Sequence, residues 1–175
     1  MNNPVPIFFA LVTMLLASCS TLDVSSSQQN LSSSEKWSVL PIVNHTQTPQ
    51  AGLQAESIAA AMLRTRGIRN ISQYPSDLND ETVFEPAERK LVDKALGWAK
   101  DQQVRYVLTG AVDEWRYKVG VDGDPVVGLV MQVIDMETQK VVWSAVGSKS
   151  GWSREALSSV AQNLLKDMFK TLRLK

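Results

Sequence analysis

Apolar and polar positions along the chain follow two different periods, and the change from one to the other divides the sequence. In the first half, short apolar runs alternate with stretches in which apolar residues recur every three or four positions, as in helices. In the second half, three segments alternate residue by residue, as half-buried strands do, and the last stretch is again helical in period. The predicted strands are 37–43, 68–72, 105–117, 126–136 and 141–148, and the predicted helices are 51–66, one from Pro86 and one from Ser153.

These elements predict an α/β fold in a single domain. Their order is β-α-β-α-β-β-β-α, which is most simply a mixed β-sheet packed by helices. Gly67 lies where the first helix should end, because glycine readily adopts the left-handed conformation of a helix C-terminus. The run GVDGDP at 120–125 is a turn signal, and it predicts a hairpin between the first two long strands.

The first twenty residues carry a separate signal. Residues 6–16 are almost wholly apolar but too short to span a bilayer comfortably, and small residues follow them as far as Cys19. Small residues before a cysteine resemble the lipobox of bacterial lipoproteins, in which the signal is removed and the cysteine is lipidated. We therefore predict a signal peptide at 1–18 and lipidation of Cys19. An ordinary cleaved signal or a short membrane anchor is the alternative.

The segment after Cys19 is rich in serine, glutamine and asparagine and has little to bury. Residues 19–36 are therefore predicted to be the lipidated cysteine and a flexible tether, and residues 37–175 a domain large enough for its own core. In Gram-negative lipoproteins, serine directly after the cysteine resembles the outer-membrane sorting pattern. Ser20 therefore favours the outer membrane, with the domain facing the periplasm.

Charge and composition narrow the possible chemistry. Eighteen lysines and arginines balance eighteen acidic residues, so net charge gives no reason to expect nucleic-acid binding. Cys19 is the only cysteine and His45 the only histidine. No nucleophile with a supporting acid is marked by its spacing to His45, so a solvated or locally hydrogen-bonded histidine is the favoured interpretation. We predict no enzyme and no cofactor.

Carboxylates are arranged in ways that do not indicate a catalytic or metal site. Asp113 and Glu114 are adjacent on a predicted strand and are therefore expected on opposite faces. Asp122 and Asp124 bracket a glycine in the turn, but the residues after them supply no further oxygen ligands for Ca²⁺. A turn is the favoured interpretation, and no metal is expected.

Tryptophan is the second unusual feature of the composition, with five residues in one domain. Trp98 and Trp143 follow the apolar pattern of their elements and are predicted to lie in the core. Trp152 directly precedes Ser153, the predicted helix cap. It could pack on Leu157 as a hydrophobic staple, or it could be an exposed indole at a membrane or partner surface. The sequence leaves both interpretations open.

Several continuous stretches resemble the PelC family of lipoproteins. The strand–helix opening, WSVLPIVNHTQTPQAG with AESIAAAMLRTRG, and the VLTG strand are shared more widely with TolB-N-like and other periplasmic α/β lipoproteins. The stretches EWRYKVGVDGDP and GWSRE are more discriminating. Together with the lipobox, the similarity covers nearly the whole mature chain.

The resemblance implies a role in export of Pel exopolysaccharide, a component of the biofilm matrix. Members of the family are outer-membrane lipoproteins that form a dodecameric ring, a homo-oligomer thought to guide the cationic polysaccharide to the PelB outer-membrane porin. Carried onto this chain, Asp122 would line an electronegative funnel at its periplasmic mouth. Trp152 would contact the membrane, and Cys19 would carry the lipid, both on the opposite face.

Two other functions are compatible with parts of the sequence. A periplasmic binding lipoprotein that activates a peptidoglycan synthase would use a similar domain, although the predicted tether is short for reaching across the cell wall. A periplasmic polysaccharide hydrolase would need two carboxylates facing one cleft, and no such pair is marked by spacing.

Overall fold

The computed structural model describes residues 20–27, 29–75, 86–119 and 123–175 of the chain. In these ranges a mixed sheet has the strand order β1-β6-β5-β4-β2-β3, and three helices pack on it. The elements are β1 (Ser20–Ser26), β2 (Trp37–Asn44), α1 (Ala51–Thr65), β3 (Ile71–Gln73), α2 (Pro86–Asp101), β4 (Tyr106–Tyr117), β5 (Pro125–Asp135), β6 (Lys140–Ser150) and α3 (Leu157–Lys170).

From Trp37 onward the predicted α/β fold and the order of its elements are confirmed. Strand β2 pairs in parallel with β3 and β4, which the helices α1 and α2 connect, and β4, β5 and β6 form an antiparallel meander. The second predicted strand begins late, at Ile71. Helix α1 ends at Thr65, and the residues between the two elements include Gly67, which has a positive φ, and Ile68, which is fully buried. No helix in the described ranges is long and apolar enough to cross a membrane.

The helices cover the two faces of the sheet unequally. Helices α1 and α3 lie on one face and bury the main core, which includes Trp37, Trp115 and Trp143. Helix α2 lies on the other face, where Ala95 and Ala99 pack in a smaller cluster near β2 and the start of β4. The rest of that second face is not covered by any helix in the described part of the chain.

The predicted flexible tether is wrong for its first residues, because they form strand β1. This strand runs antiparallel to β6, from the pair Ser20 and Lys149 to the pair Ser26 and Trp143. Further along the same segment, Leu31 is buried and exchanges backbone hydrogen bonds with the C-terminal residues of the chain. All seven side chains of β1 are exposed, and only Leu22 and Val24 alternate as apolar residues, which is too short a pattern to predict a strand.

A bulge in β2 is held by a buried carboxyl group that the sequence did not mark. The register between β2 and β4 shifts between Val39 and Ile42, and the Ile42 N–H donates to Glu56 Oε1 at 2.9 Å. The Thr109 hydroxyl donates to the Pro41 carbonyl at 2.8 Å. Glu56 is only 8% exposed, and this burial raises its pKa to about 7 although the hydrogen bond from Ile42 acts in the opposite direction.

Candidate functional site

One end of the sheet brings together the features that the sequence marked. At this end the last pair of the β4–β5 hairpin is Tyr117 with Pro125, and the next residue of β5 pairs with Ser150 at the end of β6. Strand β1 begins beside the same end of β6, with Ser20 opposite Lys149. We call this region the hairpin end: the end of β4, the start of β5, the end of β6 with its following loop, and the start of β1.

The loop after β6 holds Trp152 in an exposed position, with 69% of the residue accessible. The Trp152 N–H donates to the Glu155 carboxylate at 3.1 Å, and the Glu155 N–H donates to the Trp152 carbonyl at 2.9 Å. Two further bonds tie the loop to the β4–β5 hairpin. The Gly151 N–H donates to the Pro125 carbonyl at 2.9 Å, and the Tyr117 hydroxyl donates to the Glu155 carbonyl at 3.2 Å.

Gly151 allows this loop to pack closely. A Cβ atom at this position would lie 2.4 Å from Glu155 Oε2 and 2.5 Å from Val160 Cγ2. Gly151 and Glu155 both belong to the GWSRE stretch, yet their structural roles were not predicted, because the contacts join a loop to a hairpin about 30 residues away. The indole of Trp152 is therefore carried by a loop whose backbone is bonded at both ends.

The predicted helix start at Ser153 is wrong, and the hydrophobic staple between Trp152 and Leu157 that depended on it is therefore wrong as well. Helix α3 begins at Leu157, its N-cap residue is Ala156 in an extended conformation, and no side chain caps it. A turn intervenes instead, in which Arg154 adopts a positive φ of 65°. Since the first helical turn begins beyond the predicted cap, Trp152 is not at the position that a staple requires. The exposed indole is the interpretation that fits the structure.

Replacing Trp152 by alanine is expected to change the free energy of unfolding by no more than about 0.5 kcal/mol, as for surface substitutions generally. The reason is that the side chain is mostly exposed and the loop is held by backbone atoms and by Glu155. Urea denaturation of the two proteins checks this. Glu155→Ala, which removes the acceptor of the Trp152 N–H, is the comparison that should destabilise the loop more. A loss above about 2 kcal/mol in Trp152→Ala would indicate a packing role.

Asp122, at the tip of the β4–β5 hairpin, lies outside the described residues. The hairpin is confirmed up to its base, where the Lys118 N–H donates to the Asp124 carbonyl at 2.8 Å. The Lys118 ammonium group also donates to Ser150 Oγ at 2.9 Å. Both strand ends that flank the tip thus lie at the hairpin end together with Trp152. The placement of Asp122 and Trp152 on opposite faces, which the resemblance implies, stays a prediction.

Cys19 also lies outside the described residues, but its covalent neighbour Ser20 does not. Ser20 pairs with Lys149 on β6, three residues before Trp152. Because consecutive Cα atoms are only about 3.8 Å apart, any group on Cys19 would start close to the hairpin end. Lipidation of Cys19 and membrane contact by Trp152 stay predictions.

Asp113 and Glu114 share one side of the sheet, contrary to the prediction that their adjacency would separate them. The register between β4 and β5 shifts between Val112 and Glu114, and this bulge removes the simple alternation. Both residues line a shallow groove of about 430 Å³, which Asp23 of β1 also lines. Asp113 Oδ1 is 2.7 Å from Nδ1 of His45, and both side chains are about half exposed.

The described residues contain no group of three or more histidine, cysteine, aspartate or glutamate side chains placed to hold a metal ion.

The other tryptophans have core or near-core positions. Trp143 is 1% exposed and donates from Nε1 to the Thr171 hydroxyl at 2.9 Å, and Trp98 is half-buried with its ring edge-on to Tyr74 at 5.4 Å. Trp152 is thus the tryptophan whose exposure calls for a functional explanation.

Solved structures identify the family. The PelC dodecamer from Paraburkholderia phytofirmans is 43% identical to this chain, with a TM-score of 0.75, over 90% of this chain and 99% of that one. A variant of that dodecamer in a second crystal form gives the same identity and TM-score over 90% of this chain and 100% of the other. The chain belongs to the PelC family. No protein-family model and no curated protein matches the sequence significantly.

More distant structures share only the fold with this PelC-family chain. The lipoprotein GNA1162 from Neisseria meningitidis is 15% identical, with a TM-score of 0.52, over 78% of this chain and 96% of that protein. At this identity the likeness shows a common α/β arrangement. The family assignment rests on the PelC structures, and it agrees with the resemblance carried by EWRYKVGVDGDP and GWSRE.

Proposed function

We propose that this chain is an outer-membrane lipoprotein for export of Pel exopolysaccharide. It forms a ring on the periplasmic side that guides the cationic polymer to the PelB porin and so supports biofilm matrix formation. The observation that carries the proposal is the 43% identity over 99% of a PelC chain that forms a dodecamer. The role is one of guidance and assembly, without catalysis or a cofactor.

The hairpin end is the part that would face the membrane. A lipid on Cys19 would begin beside Ser20, on the same side as the exposed indole of Trp152. Tryptophan suits the boundary between membrane and water, because its ring is apolar and its N–H can remain hydrated. One acyl chain binds a bilayer only marginally, whereas the lipids of many protomers in one ring would add by avidity.

Asp122 would act on the polymer from the tip of the β4–β5 hairpin. A carboxylate repeated around a ring gives a focused negative potential even though each protomer has no net charge. The attraction at each site must stay weak, or the polymer could not move on, as in ion channels. We propose that the ring of Asp122 faces the lumen, where it meets the passing polymer.

The alternative of a lipoprotein that activates a peptidoglycan synthase is less well supported. Strand β1 begins at Ser20, directly after the predicted lipid site, and pairs along β6 for seven residues. A chain bound to the sheet in this way cannot act as a long leash across the periplasm.

Replacing Asp122 by alanine is expected to reduce Pel export several-fold while the amount of envelope protein stays unchanged. The loss follows from removing one carboxylate per protomer from the lumen. Asp124→Ala is the matched control, because Asp124 belongs to the same turn and its backbone carbonyl still accepts the Lys118 N–H. Secreted polysaccharide and protein level should be measured together. Equal loss of export in both variants, or disappearance of the Asp122→Ala protein, would mean that Asp122 acts only in the turn.

A further inference from the structure

The face of the sheet that helix α2 leaves uncovered is formed by β1, β6, β5 and the second half of β4. We call it the open face. One row of paired residues across it consists of Ala111, Val130, Val146 and Asp23. Val146 is 51% exposed, and Val130 and Ala111 are partly exposed. A sheet face with small and apolar side chains at its centre is normally covered by another layer.

The open face carries mainly negative charge. Its groove is lined by the carboxylates of Asp23, Asp113 and Glu114. Arg116 is the basic residue of that groove, and its guanidinium is 2.8 Å from Glu114. Asp23 is exposed and makes no ion pair within the described ranges. The groove of the open face therefore carries more carboxylates than cations, and a partner that binds there would meet a negatively charged surface.

The other side of the protein carries the opposite charge. There α1 and α3 lie side by side, and a groove of about 300 Å³ runs between them with mostly apolar walls. We call this side the helix face. The groove is lined by Met62, Thr65, Arg66, Lys166, Phe169 and Lys170. Lys166 is exposed and, among the described residues, has no ion-pair partner.

One acidic residue lies beside the cations of the helix face. Asp167 is 2.9 Å from the Lys170 ammonium group and 3.1 Å from that of Lys149, and these partners lower its pKa although partial burial acts in the other direction. Its charge is therefore already balanced. Arg66 uses one guanidinium nitrogen to donate to the Leu172 carbonyl at 2.9 Å, which leaves its positive charge uncompensated.

We propose that the open face of one protomer is covered by the helix face of the next, so that copies of this chain associate head to tail; this rests on the ring of the proposed function. A cyclic ring needs two different surfaces on roughly opposite sides of each protomer. The two faces meet this requirement, and their charges are complementary, with Asp23 offered on one and Lys166 on the other. Small side chains on the open face would let the neighbouring helices approach closely.

Equal numbers of acidic and basic residues are what this arrangement requires, because each protomer carries one acidic and one basic face. A chain of zero formal charge with an acidic face and a basic face attracts its own copies in one orientation and repels them in the reverse one. Electrostatic pairing of this kind fixes the register of an interface more than its total strength. Because salt screens the attraction between exposed charges, raising its concentration should favour dissociation.

A charge-swap experiment tests the proposed contact. The full-length chain, extracted from membranes in mild detergent, is compared with Asp23→Lys, Lys166→Glu and the double variant. Particle mass is measured by light scattering after size-exclusion chromatography. Each single variant should lower the ring population at least tenfold at equal protein concentration, and the double variant should restore it. Glu35→Lys is the control for charge alone, because Glu35 is exposed at the opposite end of the sheet from the hairpin end.

The outcomes separate this inference from the proposed function. Intact rings in both single variants would overturn the assignment of the two faces while leaving the ring itself. Loss of the ring in all three variants, with each protein folded by circular dichroism, would overturn the direct pairing of the faces. A wild-type chain that is monomeric in detergent would contradict the ring of the proposed function and, with it, this interface.

Discussion

Replacing Cys19 by serine is expected to remove the protein from the outer membrane almost completely. Serine lacks the thiol that carries the lipid, and each buried CH₂ of an acyl chain stabilises membrane binding by about 0.8 kcal/mol. The variant should therefore appear in the soluble periplasmic fraction or be mislocalised, and it should no longer incorporate labelled palmitate.

Ser18→Ala is the matched control for this experiment, because it keeps a small residue before the cysteine and should leave both localisation and labelling unchanged. Cys19 is the only cysteine, so loss of label can be assigned to this one residue. Normal fractionation of Cys19→Ser with the outer membrane would contradict the lipoprotein assignment. A wild-type protein that keeps residues 1–18 and takes up no labelled palmitate would favour a membrane anchor.

Glu56→Gln is expected to remove a pH dependence of stability worth about 3 kcal/mol. Burial raises the pKa of Glu56 from 4.5 to about 7, so the folded state holds its proton more tightly than the unfolded state does. The resulting stabilisation is fully present below pH 4.5 and is lost as the pH rises toward 7. Gln keeps an acceptor for the Ile42 N–H but has no proton to lose.

Urea denaturation at pH 5 and pH 8 should therefore give different results for the two proteins. The wild-type protein should lose about 3 kcal/mol of unfolding free energy between these conditions relative to Glu56→Gln. Glu35→Gln, which changes an exposed carboxylate, should behave like the wild type. Parallel stability curves for wild type and Glu56→Gln would mean that the carboxyl group at the β2 bulge titrates normally.

Periodicity predicted most of the fold because most elements bury one face. Helix α1, the hairpins and the strands from Trp37 to Ser150 all carry apolar residues at the spacing of their element. Strand β1 was not predicted, because its seven side chains are all exposed and its stability comes from backbone hydrogen bonds to the edge of β6. A serine-rich strand of this kind has the composition of a linker.

The candidate site was harder to predict because it depends on contacts between distant segments. Nothing local indicates that the loop of Trp152 is tied to Tyr117 and Pro125, or that both lie beside Ser20. The bulge that turns Asp113 and Glu114 to one side could not be predicted either, because the prediction assumed strict alternation of side chains along the strand. Ser153 resembled a cap by type, but the cap position is occupied by Ala156 because a turn intervenes.

The relatives of this chain and its own geometry establish different properties. The PelC structures identify the family, while the geometry of this chain shows an exposed indole next to the start of β1 and two faces of opposite charge. The strand ends that flank Asp122 lie at the same end of the sheet as Trp152, and Asp122 itself lies outside the described residues. The lipid and the indole are therefore expected to act on one side of the ring.

The most direct test of the central claim is the mass and shape of the lipidated chain purified in detergent. Light scattering combined with negative-stain images gives both quantities on one sample. We expect a ring with a central pore and a mass many times that of one 19.3 kDa chain. A monomer at every protein concentration, in the lipidated form, would contradict the account.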